Sequence, residues 1–131
     1  LGEDRRLVDL PGYGFARVAA EVQARWQKSL ETYLSSRASL KGLIVTMDIR
    51  RGMTRLDEQL LRWLESHRDL PVAILLTKAD KLSRTEGLAQ QRALGAALGN
   101  DVKLARFSAV SGDGVDAAKA WIEAWLSDVQ K

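Results

Sequence analysis

With 131 residues, 46% of them hydrophobic and 28% charged, the chain has material for one globular domain and not two. It has no cysteine and a single histidine, His67, which excludes a disulfide framework and a cysteine-ligated metal and leaves a histidine-based metal site or triad implausible. The 20 Lys plus Arg against 17 Asp plus Glu leave a net charge of +3, a mild excess that is compatible with an RNA or ribosome partner but more readily read as a slightly basic surface.

No apolar run approaches transmembrane length, and the N-terminus lacks the layout of a signal peptide. The chain begins at Leu1 rather than methionine, as an excised or incomplete segment would. Short apolar runs then alternate with stretches of helical period, the pattern of a parallel sheet covered by helices. A first strand is predicted at Arg6–Leu10. A helix follows, with Val22, Trp26, Leu30, Tyr33 and Leu34 on one face and Glu21, Arg25, Lys28 and Ser35 turned away. Leu43–Ile49 and Val72–Thr77 read as strands buried on both faces, because their apolar runs are continuous rather than alternating. Between them a shorter helix, about Leu56 to Ser66, turns Leu56, Leu60, Leu61 and Leu64 inward. The next helix starts after Ser83, where Ser83 and Glu86 have capping-box spacing, and Gly99-Asn100 should end it. Val102–Phe107 is the fourth strand. The last helix carries Val115, Ala118, Ile122, Trp125, Leu126 and Val129 at helical spacing, with Asp113 as its expected N-cap. Trp26, Trp63, Trp121 and Trp125 lie on these amphipathic helices and read as packing residues rather than a stacking platform.

Open parallel sheets bind ligands at the carboxyl ends of their strands, so the residues after each strand matter most. After the first comes Asp9-Leu10-Pro11-Gly12. An aspartate there can hold the water shell of Mg²⁺, and Gly12, lacking a Cβ, lets its N–H approach a terminal phosphate. Taken alone, D-x-x-G is weak, since composition would produce it in roughly one such chain in two. After the third strand comes Thr77-Lys78-Ala79-Asp80. A carboxylate is a twin acceptor that matches the N1–H and N2–H₂ donors of guanine and would repel the acceptor edge of adenine. Lys78 can lay its methylene stem against the base or the adjacent loop. [NT]-K-x-D arises by composition in about a few per cent of chains this size, which makes it the strongest signal here. After the fourth strand, Phe107-Ser108-Ala109 offers a small residue whose backbone N–H could reach the guanine O6.

In the order D-x-x-G, T-K-x-D, S-A, these motifs resemble the third, fourth and fifth guanine-nucleotide motifs of TRAFAC-class GTPases. LVDLPGYGFA, GLIVTMDIRRGMTRLDEQL and LLTKADKLSR are similar to segments of the EngB (YihA/YsxC) family of bacterial ribosome-biogenesis GTP-binding proteins, and the likeness runs along essentially the whole chain. It implies a P-loop NTPase-type three-layer α/β/α sandwich with a mostly parallel sheet. Residues 1–131 would form a partial GTP-binding domain, from the switch II motif to the C-terminal helix, with Asp9 to about Ser36 as the switch II region. GTP or GDP would be bound by Asp9, Leu10, Pro11, Gly12, Thr77, Lys78, Ala79, Asp80, Phe107, Ser108 and Ala109, and Mg²⁺ by Asp9 through water. The likeness further implies a cytoplasmic monomer that acts in assembly of the large ribosomal subunit, with a link to cell division and septation, and without DNA or membrane insertion.

The G-x-x-x-x-G-K-[ST] phosphate loop is absent from these residues, as are the strand and helix around it and the switch I threonine that family members carry upstream. In the superfamily that strand lies between those corresponding to Arg6–Leu10 and Leu43–Ile49. Tyr13 follows Gly12 where many GTPases place a water-orienting glutamine, which predicts slow intrinsic hydrolysis. Asp48 and Arg50 read as residues that end a strand and orient a loop rather than an acid/base pair. Arg17, Arg25, Lys28, Arg37 and Lys41 could meet ribosomal RNA or could be a solvated face. The rival to a GTPase is a non-catalytic interaction module on the same scaffold. A dehydrogenase half would need a G-x-G-x-x-G turn after a strand, and none is present.

Overall fold

A computed structural model describes residues 5–8, 20–67, 70–98 and 102–127. The chain divides into two compact units, one of residues 1–40 and 55–68, the other of residues 41–54 and 69–131. The first unit holds two helices, α1 (Ala20–Ser36) and α2 (Arg55–His67). In α1 the face expected to be apolar buries Leu30 and Leu34 and half-buries Trp26 and Tyr33, while Val22, near the helix start, remains exposed. In α2, Leu60 and Leu64 are buried, four residues apart and so on one face of the helix. Asp57 and Glu58 occupy its first turn, where negative charge complements the helix dipole.

The second unit is a three-stranded parallel sheet with two helices. β1 (Leu43–Asp48), β2 (Val72–Thr77) and β3 (Lys103–Arg106) lie in the order β1-β2-β3, each parallel to the next, so the fold class is α/β. β2 is central, and five consecutive residues, Val72 to Leu76, are buried, as expected of a strand covered on both sides. α3 (Arg84–Ala97) returns from β2 to β3 and covers Leu104 and Arg106, which share one face of β3 because side chains alternate. Gly95 lies against Leu104, and Gly87 against Arg106 and Ile49, so small residues let the helix approach closely. α4 (Val115–Ser127) sets Trp125 against Gly42, where a side chain would collide with the indole. All four tryptophans are half-buried, which fits packing at the rim of a core.

The capping box predicted for α3 is present. The Glu86 N–H donates to Ser83 Oγ and the Ser83 N–H donates to Glu86 Oε1, both at 3.1 Å. α3 ends at Ala97, one residue ahead of Leu98 at the C-cap, while Gly99 and Asn100 lie outside the described residues. Two expectations need correction. Arg5 to Val8 join no strand and are all exposed, Leu7 by 70% and Val8 by 56%. A β-strand is held by its neighbour, and the neighbour that the family likeness implies for Arg6–Leu10 is not among these residues. The position ahead of α4 is occupied by Gly114, not Asp113. At φ +81, with the Arg106 carbonyl pressed against the place of a Cβ, only glycine fits there.

Candidate nucleotide site

At the carboxyl end of the sheet, two loops leave adjacent strands and are stitched together by backbone. The Phe107 N–H donates to the Leu76 carbonyl at 2.8 Å, extending the β2–β3 ladder by one bond. The Ala79 N–H donates back to the Phe107 carbonyl at 3.0 Å, so the segment after β2 is fastened to the segment after β3. Thr77 closes β2 and donates its hydroxyl to the Met47 carbonyl at 3.2 Å, while its own carbonyl accepts the Ile49 N–H at 3.0 Å. The chain then turns sharply. Lys78 adopts a left-handed conformation, φ 58 and ψ 36, alone among the described non-glycine residues. Ala79–Lys81 follow as a short 3-10 turn.

The turn presents Asp80 at the surface, and Ser108 holds it. Ser108 is fully buried, and its hydroxyl donates to Asp80 Oδ1 at 2.8 Å. Ser108 Oγ also accepts the N–H groups of Val110 at 3.2 Å and Ser111 at 3.1 Å. Ser108's backbone is secured as well, its N–H donating to the Asp113 carbonyl and its carbonyl accepting the Gly112 N–H, each at 2.9 Å. A hydroxyl used as donor and double acceptor has one orientation, so it fixes the carboxylate while leaving acceptor lone pairs on both of its oxygens. Next to it, the exposed Ala109 has a backbone N–H with no hydrogen-bond partner among the described residues. Thr77, Lys78, Ala79, Asp80, Phe107, Ser108 and Ala109 therefore come together at one sheet end. The remaining expected site residues, Asp9, Leu10, Pro11 and Gly12, lie outside the described residues, as do Tyr13 and Arg17.

Asp48, in β1, is paired in register with Thr77. Its Oδ1 accepts the Arg50 N–H at 2.9 Å and Nε–H at 3.1 Å, and its Oδ2 accepts the Arg50 guanidinium at 2.8 Å. These bonds to Arg50 outweigh partial burial and lower its carboxyl to about 2. Its backbone carbonyl accepts from Arg51 and Gly52, so Asp48 does end a strand and shape a loop, as its sequence position suggests. The sequence reading missed two connections. Ser108 anchors Asp80 across 28 positions, and Asp48 Oδ2 stands 3.8 Å from Lys78 Nζ. The one advance sign of either was an oxygen-bearing residue at a strand end. An open cleft of about 590 Å³ begins at Ala79 and Asp80 and runs past Ser83 and Arg84 to Arg106.

No protein-family model matches the chain. A curated relative from Pseudoalteromonas atlantica, named a probable GTP-binding protein EngB, is 46% identical over 133 residues, covering 99% of this chain and 64% of its own length. One of the same name from an Enterobacter species is 41% identical over 133 residues with the same coverage. This chain thus spans about 64% of the length of those relatives. Among solved structures, translation elongation factor SelB from Methanococcus maripaludis in its apo form superposes with a TM-score of 0.67 at 21% identity, over 93% of this chain and 25% of that one. That likeness is one of fold.

Proposed function

Because the chain belongs to the EngB family, whose members run alongside 99% of it, we propose that it is the guanine-reading part of a GTP-binding domain in a protein that hydrolyses GTP to GDP and phosphate. Residues 1–131 are the portion of that domain from the switch II motif to the C-terminal helix. The observation that carries this reading is the bond from Ser108 to Asp80, which joins T-K-x-D to S-A at the end of a parallel sheet. With Oδ1 held by Ser108, Asp80 meets the N1–H and N2–H₂ donors of guanine, and the Ala109 N–H meets O6. Thr77, Ala79 and Phe107 supply the backbone that sets these two groups at the right separation, and Lys78 lies beside the base. The donor set suits guanine and is wrong for adenine, which turns an acceptor toward the same carboxylate.

Asp9, Leu10, Pro11 and Gly12 take the part of sensing the γ-phosphate and, through Asp9 and water, Mg²⁺, which would neutralise phosphate charge. With Tyr13 in place of a glutamine, turnover is slow unless a partner or an ion assists. The partner we propose is the large ribosomal subunit or its RNA, with a role in subunit assembly linked to cell division and septation, in a cytoplasmic monomer. Exposed Arg25 and Lys28 on α1 suit a phosphate-rich surface.

Asp80→Asn in the full-length protein tests the guanine assignment. The amide keeps the shape but replaces an acceptor with a donor, so GDP should bind at least about tenfold more weakly, given roughly 1.5–3 kcal/mol per charge-assisted bond. Xanthine nucleotides, with a carbonyl at C2, should gain. Unaltered GDP binding, or equal uptake of ATP and GTP by the unsubstituted protein, would discard the reading.

A further inference from the structure

Asp48 and Arg50 belong to none of the motifs assigned above, yet they stand against one of them. Parallel pairing sets Asp48 opposite Thr77, so its carboxylate lies beside the residue that opens T-K-x-D. Lys78 follows in the left-handed conformation, an arrangement that a non-glycine residue adopts only where its surroundings enforce it. Its ammonium stands 3.8 Å from Asp48 Oδ2, although the lysine side chain is 59% exposed. The carboxylate itself is only 18% exposed and cannot swing away, because three Arg50 donors hold its two oxygens at 2.8 to 3.1 Å. A fixed anion thus faces a flexible cation at the start of the loop that carries Asp80.

We propose that Asp48, braced by Arg50, is a positioning residue for Lys78. It keeps the lysine stem ordered before nucleotide arrives, so that less side-chain freedom is lost on binding. Its carboxylate stays with the lysine and does not touch the base. This role rests on reading Thr77–Asp80 as the guanine-recognition loop. Nothing in the T-K-x-D pattern specifies it, since the anion comes from the neighbouring strand, 30 positions earlier in the chain.

A double-mutant cycle on GDP binding in the full-length protein separates this role from general support of the fold. Asp48→Asn keeps the side-chain shape and removes the charge. It should raise the Kd for GDP about three- to tenfold, the range expected when one long side chain must be ordered at the moment of binding. In a Lys78→Ala background the same substitution should have no further effect, because there is no lysine to place. Equal weakening in both backgrounds would overturn the proposal and leave Asp48 a loop-forming residue. Should Asp48→Asn fail to fold, Arg50→Ala carries the same cycle, since Arg50 is half-exposed and its loss merely frees the carboxylate. About twofold weaker binding, seen only when Lys78 is present, is then expected, and an equal loss in both backgrounds overturns it. GDP measured against ADP on the unsubstituted protein keeps the two readings apart. No preference for GDP removes the guanine assignment itself, whereas clear preference with an additive cycle removes only the role of Asp48.

Discussion

Arg50 makes Asp48 the most strongly perturbed acid among the described residues, with its carboxyl at about 2 against an ordinary 3.8. A carboxyl that is harder to protonate in the folded chain stabilises the fold wherever it is ionised. The contribution is complete above about pH 4 and is lost as pH falls toward 2. Half-exposed Arg50 is screened by water, so the gain is about 1 kcal/mol rather than the full equivalent of the shift. Melting of the full-length protein and its Asp48→Asn variant should differ by that amount at neutral pH, and the gap should close between pH 4 and 2. A gap that persists at pH 2 would show that the charge was not the cause. Individual residues were unevenly legible in the sequence. Asp80 stood out as a candidate because guanine demands a twin acceptor and a lysine two positions earlier makes coincidence rare. Ser108 did not, since its part lies in bonds to Asp80, Val110 and Ser111 that exist only once two loops meet.

Elements read well where a local pattern sufficed and poorly where a neighbour was required. The continuous apolar run of β2 and the capping box of α3 announce themselves, because burial on both faces and an Ser-x-x-Glu spacing are properties of a few adjacent residues. Over its described residues, Arg6 to Val8, the first predicted strand misled, because an apolar run states a preference for a strand without supplying its partner. Asp113 misled as an N-cap for a related reason, as the backbone there is dictated by its approach to β3. Gly114 has φ +81, and a Cβ on it would strike the Arg106 carbonyl and crowd Phe107. Gly112 has φ +87 with open space around it. Alanine at 112 should cost only the conformational penalty, about 1 kcal/mol, whereas alanine at 114 must also displace main chain and should cost more than about 2 kcal/mol. Displacing Phe107 would loosen its link to Ala79, so Gly114→Ala should weaken GDP binding as well. Equal shifts in Tm for the two variants would mean that the close approach to Arg106 is not what requires glycine.

For the molecule as a whole, the loops that carry Asp80 and Ser108 are joined, but two requirements of the proposed nucleotide-binding domain are not met within these 131 residues. The β- and γ-phosphates need a cradle of backbone N–H groups and a lysine, and the sequence has no G-x-x-x-x-G-K-[ST] to supply them. The sheet ends at β1, whose outer edge has no partner among the described residues, although Val45 and Met47 are buried and its neighbour β2 is apolar from Val72 to Leu76. An unpaired edge of this kind leaves N–H and C=O groups unsatisfied and invites association with other chains. Contacts to the base alone are also a small share of what holds a nucleoside di- or triphosphate, since most of its charge lies in the phosphates. Residues 1–131 purified by themselves should therefore melt without a sharp transition or aggregate, and should show no GDP binding at micromolar concentrations. Calorimetric scanning and titration with GDP, run beside the full-length protein, measure both. A cooperative melt together with micromolar GDP binding by the isolated segment would mean that Asp80, Ala109 and their supporting loops bind nucleotide without a phosphate cradle, and the division of labour inferred here would have to be abandoned.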